Sequence, residues 1–426
     1  MKDLFKFRYN IINAIGIAIG MLNVILIYKN YGSSAQSDTY FLGFTIYATL
    51  SLIYQLFSEQ FIFTYRGIIS EKEKNQFLFT YLSFATIAGL LLTTVIFFTK
   101  PLLLNIFAFG LTDARKEMVF GVLSIFTISL VCYLPLQILL AVLNAIDQLA
   151  VSYTLTFLPT SFVTMALLFD SGVGGINEMA YAHLIGSCLA LLLSFLFTIK
   201  IIDFKSLTIN KKFIDTVLIG LKVRFAHNVH NFFLGWAITN YLSMYSAGQA
   251  SLFFYAKKIS DAALSVSYGP THKLLINKIV DSLKHHSIGN IEDLLRKITY
   301  IFPAFFLLLY IAVCIVAPEF FIIIGKPLDN KNTLFAILFF LFCANSLISI
   351  EVGYAIISQA NNKYWNVVIA NLGFVMLFTI CAYSIQNISG VIGLSISMFI
   401  GQLSNYFVNK SYANKTIAEM KRNFCS

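Results

Sequence analysis

Apolar stretches of spanning length follow one another along the chain, at roughly 10–28, 40–63, 77–98, 118–140, 151–170, 177–198, 225–245, 251–270, 298–318, 333–357, 364–385 and 390–409. Each is close to the roughly 20 residues that a helix needs to cross the hydrocarbon of a bilayer. Lipid offers no partner for a backbone N–H or C=O, so such a run must satisfy its own amides as a helix. The pattern predicts an all-α polytopic membrane protein of about twelve transmembrane helices. Lys2, Lys6 and Arg8 precede the first run as in a signal peptide. That run continues for about 18 residues without a small-residue cleavage site, and is read as an uncleaved first helix.

Composition sharpens this. Of the residues 58% are hydrophobic and 12% charged, about half the charged share of a soluble domain, which excludes a soluble globular reading. The net charge of +10 would suit nucleic acid only if it were gathered on a water-exposed domain, and no segment is long and polar enough to be one. Its distribution reads instead as topology. With a cytoplasmic N-terminus, the inner segments 1–9, 64–76, 199–224, 271–297, 363 and 410–426 hold about 22 of the 30 Lys and Arg, against about 6 in the outer loops. Both termini are then expected in the cytoplasm, and the outer loops are too short to hold an extracytoplasmic domain. Cys132, Cys188, Cys314, Cys343 and Cys381 fall inside apolar runs without paired spacing, so neither a disulfide framework nor a metal site is expected.

The halves align without a gap at an offset of about 215 residues, which pairs Asn13 with Asn228, Gly20 with Gly235, Tyr40 with Tyr255, Gly110 with Gly325, Ala145 with Ala360, Gly175 with Gly390, and Gly186 with Gly401. Turn glycines and helix positions stay in register together. Two six-helix lobes in parallel repeat around a central cavity are expected, as 1–205 and 225–409, with a cytoplasmic linker at 206–224 and a cytoplasmic tail at 410–426. Transporters built this way hold their substrate between the halves.

Polar residues inside the spans mark where such a cavity would lie. In the seventh helix Arg224, His227, Asn228 and Asn231 share one face at i, i+3, i+4 and i+7. The eighth carries a stripe of Ser251, Tyr255, Lys258, Ala262 and Ser265, with Lys257 and Asp261 beside it. Asn13, Gly16, Gly20 and Asn23 line the first helix, and Ser51, Gln55, Ser58 and Glu59 the second. A Lys or Arg at mid-bilayer costs about 2.5–3.5 kcal/mol, so Lys257 and Lys258 should face water, a partner or a substrate. Lys258, Arg224, Lys257, Asn228, Asn231, Tyr255 and Asn23 are the candidate substrate-binding residues; Glu59, Asp261 and His227 are candidates for ion coupling. Plainer readings stand beside these: a structural pair of Lys258 with Asp261, an interfacial anchor for Arg224, packed polar histidines at 227 and 230, and solvated turn charges at Asp147 and Lys363. Gly269 and Pro270, followed by His272 and Lys273, read as the cytoplasmic end of the eighth helix. No catalytic constellation, metal-ligand spacing or phosphate-cradling glycine loop appears, so a carrier without cofactor is expected rather than an enzyme.

Several segments resemble the multidrug/oligosaccharidyl-lipid/polysaccharide (MOP) exporter superfamily, and within it the MurJ-type and Wzx-like lipid flippases. Tyr31-Gly32 through Asp38-Thr39-Tyr40-Phe41 is similar to the Phe-Gly-x-x-x-x-x-Asp-Ala-Phe start of the MurJ-type second helix. Leu56-Phe57-Ser58-Glu59-Gln60 is similar to its Leu-Phe-Ala-Glu-Gly, Leu143-Asn144-Ala145 to its Leu-Asn-Ala, and Tyr255-Ala256-Lys257-Lys258-Ile259 before Pro270 to its Tyr-Ala-x-Arg-Leu with a later Pro. The basic positions of that branch in the first two helices would fall at about Asn23 and Tyr54, and only Lys258 keeps a charge at a matching place. The resemblance implies alternating access in a bacterial inner membrane. The implied cargo is an undecaprenyl-diphosphate-linked oligosaccharide, an O-antigen or capsule repeat unit, with polysaccharide polymerases as candidate partners. A lipid II flippase and a cation-coupled drug antiporter of the same superfamily are the alternatives.

Overall fold

A computed structural model of the chain describes residues 2–169, 175–199, 211–284, 288–323, 330–361 and 363–425; Gly325, Asn362 and the side chains of Glu59, Arg224 and His227 lie outside the described part. Within the described residues the chain is helical throughout: α1 (Lys2–Tyr31), α2 (Ala35–Gly67), α3 (Glu71–Phe107), α4 (Asp113–Ala145), α5 (Leu149–Phe169), α6 (Asn177–Thr198), α7 (Lys211–Ser243), α8 (Gln249–Lys284), α9 (Ile288–Ile323), α10 (Lys331–Ala360) and α11 (Tyr364–Cys425). Each apolar window of the sequence lies in one of them, apart from a residue or two at the ends. The last two windows fall in α11, which breaks where expected, at Gly390 with φ 53° and ψ −139°. That conformation is closed to most side chains and explains the glycine.

Helices run past their apolar windows because helix geometry continues into water once nucleated. Ser34 and Ser37 exchange side-chain and backbone bonds as a capping box at the start of α2. Glu71 and Glu73 sit in the first turn of α3, where the helix dipole favours acids. Two expectations change. α7 starts at Lys211, inside the segment read as a linker. α8 does not stop at Gly269–Pro270 but continues to Lys284. A proline removes one backbone bond without forcing a helix to end, and Leu275 and Ile279 beyond it are buried at i, i+4.

Eight of the helices, α1, α3 to α6 and α9 to α11, are long and apolar enough among the described residues to cross a membrane, and α11 is long enough to do so twice. The protein is a multi-pass membrane protein.

By packing, the chain divides into residues 1–248 and residues 249–426. In the first unit α4 packs against α2, α3 and α6, and α5 packs against α6 and α1. Leu136, Leu140 and Leu143 of α4 meet Leu155 of α5 and Ala190 of α6 in an apolar cluster. α7 packs on α2 and α3: Phe213 lies against Phe77, and Trp236 and Asn240 both donate to the Ile106 carbonyl at 3.0 Å. In the second unit α10 packs against α8, α9 and α11.

The repeat read from the sequence recurs in local geometry. After α4, Gln148 N–H donates to Leu143 O and Ile146 N–H to Val142 O; after α10, Lys363 N–H donates to Ser358 O and Asn361 N–H to Ile357 O. These are the same bonds 215 residues apart, and the two C-cap residues have matching dihedrals, −99°/18° at Ile146 and −99°/20° at Asn361. Asp147 takes the left-handed position of this Schellman turn at φ 63°. Gly186 lets α6 approach the backbone of Leu158 and Pro159, where an added Cβ would lie 2.7–3.0 Å away. Gly401, 215 residues on, meets Phe374 at 2.9–3.1 Å, and Phe374 is the residue that matches Pro159.

Candidate functional site

α8 carries Lys257, Lys258 and Asp261 close together, and its packing decides which side of the helix is covered. Ser251 and Tyr255 are buried, as is Ser260, whose hydroxyl and carbonyl both accept from Asn345 of α10 at 2.7 and 2.9 Å. One side of α8 is thereby fixed to α10, and the polar stripe read from the sequence is split into a buried first part and a more open part after it. On the open part Lys257 donates to both oxygens of Asp261, at 2.9 and 2.8 Å. Their side chains are 29% and 42% exposed. Asp261 therefore offsets the charge of Lys257 at i, i+4. Lys258, one position further round the helix, is exposed. With Lys257 and Asp261 it brings this stretch of α8 to two cations and one acid.

The other sequence candidates lie in the first unit. Asn228 and Asn231 on α7 are half-buried and meet at 3.5 Å through Nδ2 and Oδ1; the side chains of Arg224 and His227 on the same face are outside the described residues. Asn23 is buried and donates to the Thr164 hydroxyl of α5 at 3.5 Å. On α2, Gln55 donates to the Tyr133 hydroxyl at 3.0 Å, while the Glu59 side chain is not described. Asp147 pairs with Arg66 at 2.8 Å with both side chains exposed, and Lys363 pairs with Glu419 at 2.5 Å, in keeping with turn charges.

Three groupings escaped the sequence reading. Asp38, the acid of the Gly32-to-Phe41 motif, is fully buried and accepts from Arg115 at 3.0 Å and from the Gly248 N–H at 2.7 Å, while Arg115 also donates to the Tyr245 carbonyl at 2.9 Å. The first turn of α2, the first turn of α4 and the turn after α7 are joined by this one carboxylate. His183 is buried edge-on among Phe44, Tyr47 and Phe126, with ring centroids 5.2–6.0 Å away. Cys132 and Cys188, distant in sequence, are free thiols 3.6 Å apart across α4 and α6. Among the described residues no group of His, Cys, Asp and Glu has the arrangement of a metal site.

No protein-family model matches the sequence, and no curated protein matches it. Solved structures do. A lipid II flippase MurJ in an inward closed conformation aligns over 97% of this chain and 90% of its own, with a TM-score of 0.78 at 16% identity. An inward-facing multidrug resistance MATE transporter aligns over 95% and 96%, with a TM-score of 0.79 at 13% identity. The chain has the fold of these structures. An outward-facing MATE transporter of the MOP superfamily aligns over 97% and 96% with a lower TM-score, 0.64, at 15% identity. Identities this low show the shared fold and leave function to the residues.

Proposed function

We propose that this protein is a flippase that carries an undecaprenyl-diphosphate-linked oligosaccharide, an O-antigen or capsule repeat unit, across a bacterial inner membrane. The observation that carries the reading is the net positive face of α8. Asp261 pairs with Lys257, and Lys258 lies next to them at the position that resembles the basic site of the lipid flippases. A diphosphate brings the complementary charge, and a positive site lowers the cost of taking that charge out of water.

In this reading the carrier works by alternating access, opening first to the cytoplasm and then to the outside. Both termini are cytoplasmic. Lys258 meets the diphosphate, and the polyprenyl tail stays in lipid. The likeness to MurJ supports a lipid-linked cargo, and the likeness to MATE transporters keeps a small-molecule antiporter as the second reading. An antiporter would be expected to bind a cationic drug, which the positive α8 face disfavours.

Purified protein in proteoliposomes, loaded on one leaflet with an undecaprenyl-diphosphate oligosaccharide, tests the proposal. Protein-dependent appearance of the sugar to an external lectin supports it. Its absence, together with proton- or sodium-driven uptake of a cationic dye, would favour the antiporter.

A further inference from the structure

The first unit holds a cation that the cargo reading does not use. The third apolar window ends before Lys100, but α3 runs on to Phe107 and carries this lysine inside the helix, about 10 Å from its C-terminal end. Lys100 is 6% exposed and makes no ion pair among the described residues. Its ammonium donates to the Ser124 hydroxyl of α4 at 2.9 Å, and lies 3.8 Å from the centre of the Phe97 ring and 4.9 Å from that of Phe120. An ammonium has three N–H donors, and one hydrogen bond uses one of them. Along α4, Lys116 and Glu117 precede Phe120 by about a turn and are opposite in sign.

Phe97 also lines a groove of about 270 Å³ between α3 and α4, together with Leu90, Thr94, Phe98, Ile128 and Val131. All six are exposed, in stretches apolar and long enough to span a membrane. From Lys100 the groove runs toward the middle of α3, about 15 Å as far as Leu90. The buried hydroxyls along it are committed, that of Thr93 to the Tyr54 hydroxyl at 3.0 Å and that of Thr127 to the Leu123 carbonyl at 2.8 Å, so the groove offers hydrocarbon. We propose that α3 and α4 hold one anionic phospholipid of the bilayer, with its phosphodiester on Lys100 and one acyl chain in the groove.

A lysine within a span is costly unless its charge meets water or a partner. The Ser124 hydroxyl and the two rings attract the ammonium, but none of them carries a negative charge to offset it. A phosphate oxygen does, through a charge-assisted hydrogen bond to a remaining N–H. One cation matches the single charge of a phosphodiester, whereas a diphosphate carries more. A zwitterionic headgroup brings its own cation, which competes with Lys100 for the phosphate. Phe97 both covers the ammonium and lines the groove, so a rotamer change of this one ring as a chain enters opens Lys100 to the headgroup. No residue of the cargo reading takes part, so the test reads lipid binding and not transport.

The test is native mass spectrometry of the full-length protein in detergent, titrated with phosphatidylglycerol and, separately, with phosphatidylcholine of the same chains. In wild type the first phosphatidylglycerol should bind about tenfold more tightly than the first phosphatidylcholine, the scale set by one hydrogen bond between charged groups. Lys100→Met keeps the packing against Phe97 and Phe120 without the charge. It should weaken phosphatidylglycerol by about tenfold and leave phosphatidylcholine unchanged. Lys100→Arg should keep most of the affinity, since the charge survives. If Lys100→Met does not insert, Val131→Trp fills the groove with the charge in place, and should weaken both lipids. Wild type that binds the two lipids equally, either of Lys100→Met and Val131→Trp with wild-type affinity for phosphatidylglycerol, or displacement of the first phosphatidylglycerol by inorganic phosphate, overturns the proposal.

Discussion

Lys258 and its neighbours separate a substrate contact from a structural charge. Lys257 is held by Asp261, so Asp261→Ala strands a half-buried cation and is expected to lower stability, whereas Lys258→Ala removes an exposed charge and leaves the fold intact. Lys258→Ala should abolish export of the surface glycan at unchanged membrane abundance, and Lys258→Arg should keep part of it, since the charge survives with altered geometry. Full export in Lys258→Ala would remove this lysine from the site. Asp38 behaves differently. Its side chain is 1% exposed and that of Arg115 16%, so Arg115→Ala leaves a buried carboxylate with one donor fewer. A loss of about 3–5 kcal/mol is expected, read as a fall in melting temperature in detergent. No fall would mean that Asp38 is satisfied without Arg115.

The helices themselves were legible because lipid imposes one rule on every residue of a span. Each apolar window became a helix, and Gly390 broke the last one at the expected place. The ends were less legible. Pro270 in α8 and the linker before α7 were read as stops, although a helix tolerates an internal proline and continues beyond the bilayer without an apolar signal. Among candidate residues, the Lys257–Asp261 pair followed from i, i+4 spacing alone. The Asp38–Arg115 pair did not, because its partners are 77 residues apart. Lys100 falls just past the third apolar window and so reads as a loop charge, whereas α3 runs on to Phe107 and holds it inside the helix. A prediction belongs at this scale. Gly186→Leu and Gly401→Leu should each lower stability by about 1–3 kcal/mol through overpacking of a close crossing. Since the crossings match 215 residues apart, the two losses should be similar in melting experiments; a neutral Gly401→Leu would show that the second crossing is loose.

For the molecule as a whole, matched caps and matched glycine crossings turn a sequence register into a structural repeat, which the MOP fold accommodates. The Lys and Arg asymmetry predicts both ends of the chain on the cytoplasmic side, and reporter fusions at residues 1 and 426 should both read cytoplasmic. A fusion at 426 that reads outside would break the twelve-span account. The central claim is that the α8 face moves a diphosphate-linked sugar lipid. Its most direct measurement is the rate at which purified wild type and Lys258→Ala, at equal reconstitution, bring an undecaprenyl-diphosphate oligosaccharide to the opposite leaflet of proteoliposomes. The account predicts rapid translocation by wild type and a loss of at least about tenfold in Lys258→Ala, the factor that corresponds to roughly 1.4 kcal/mol. Equal rates for the two proteins, or a wild-type rate no faster than empty liposomes, would contradict it.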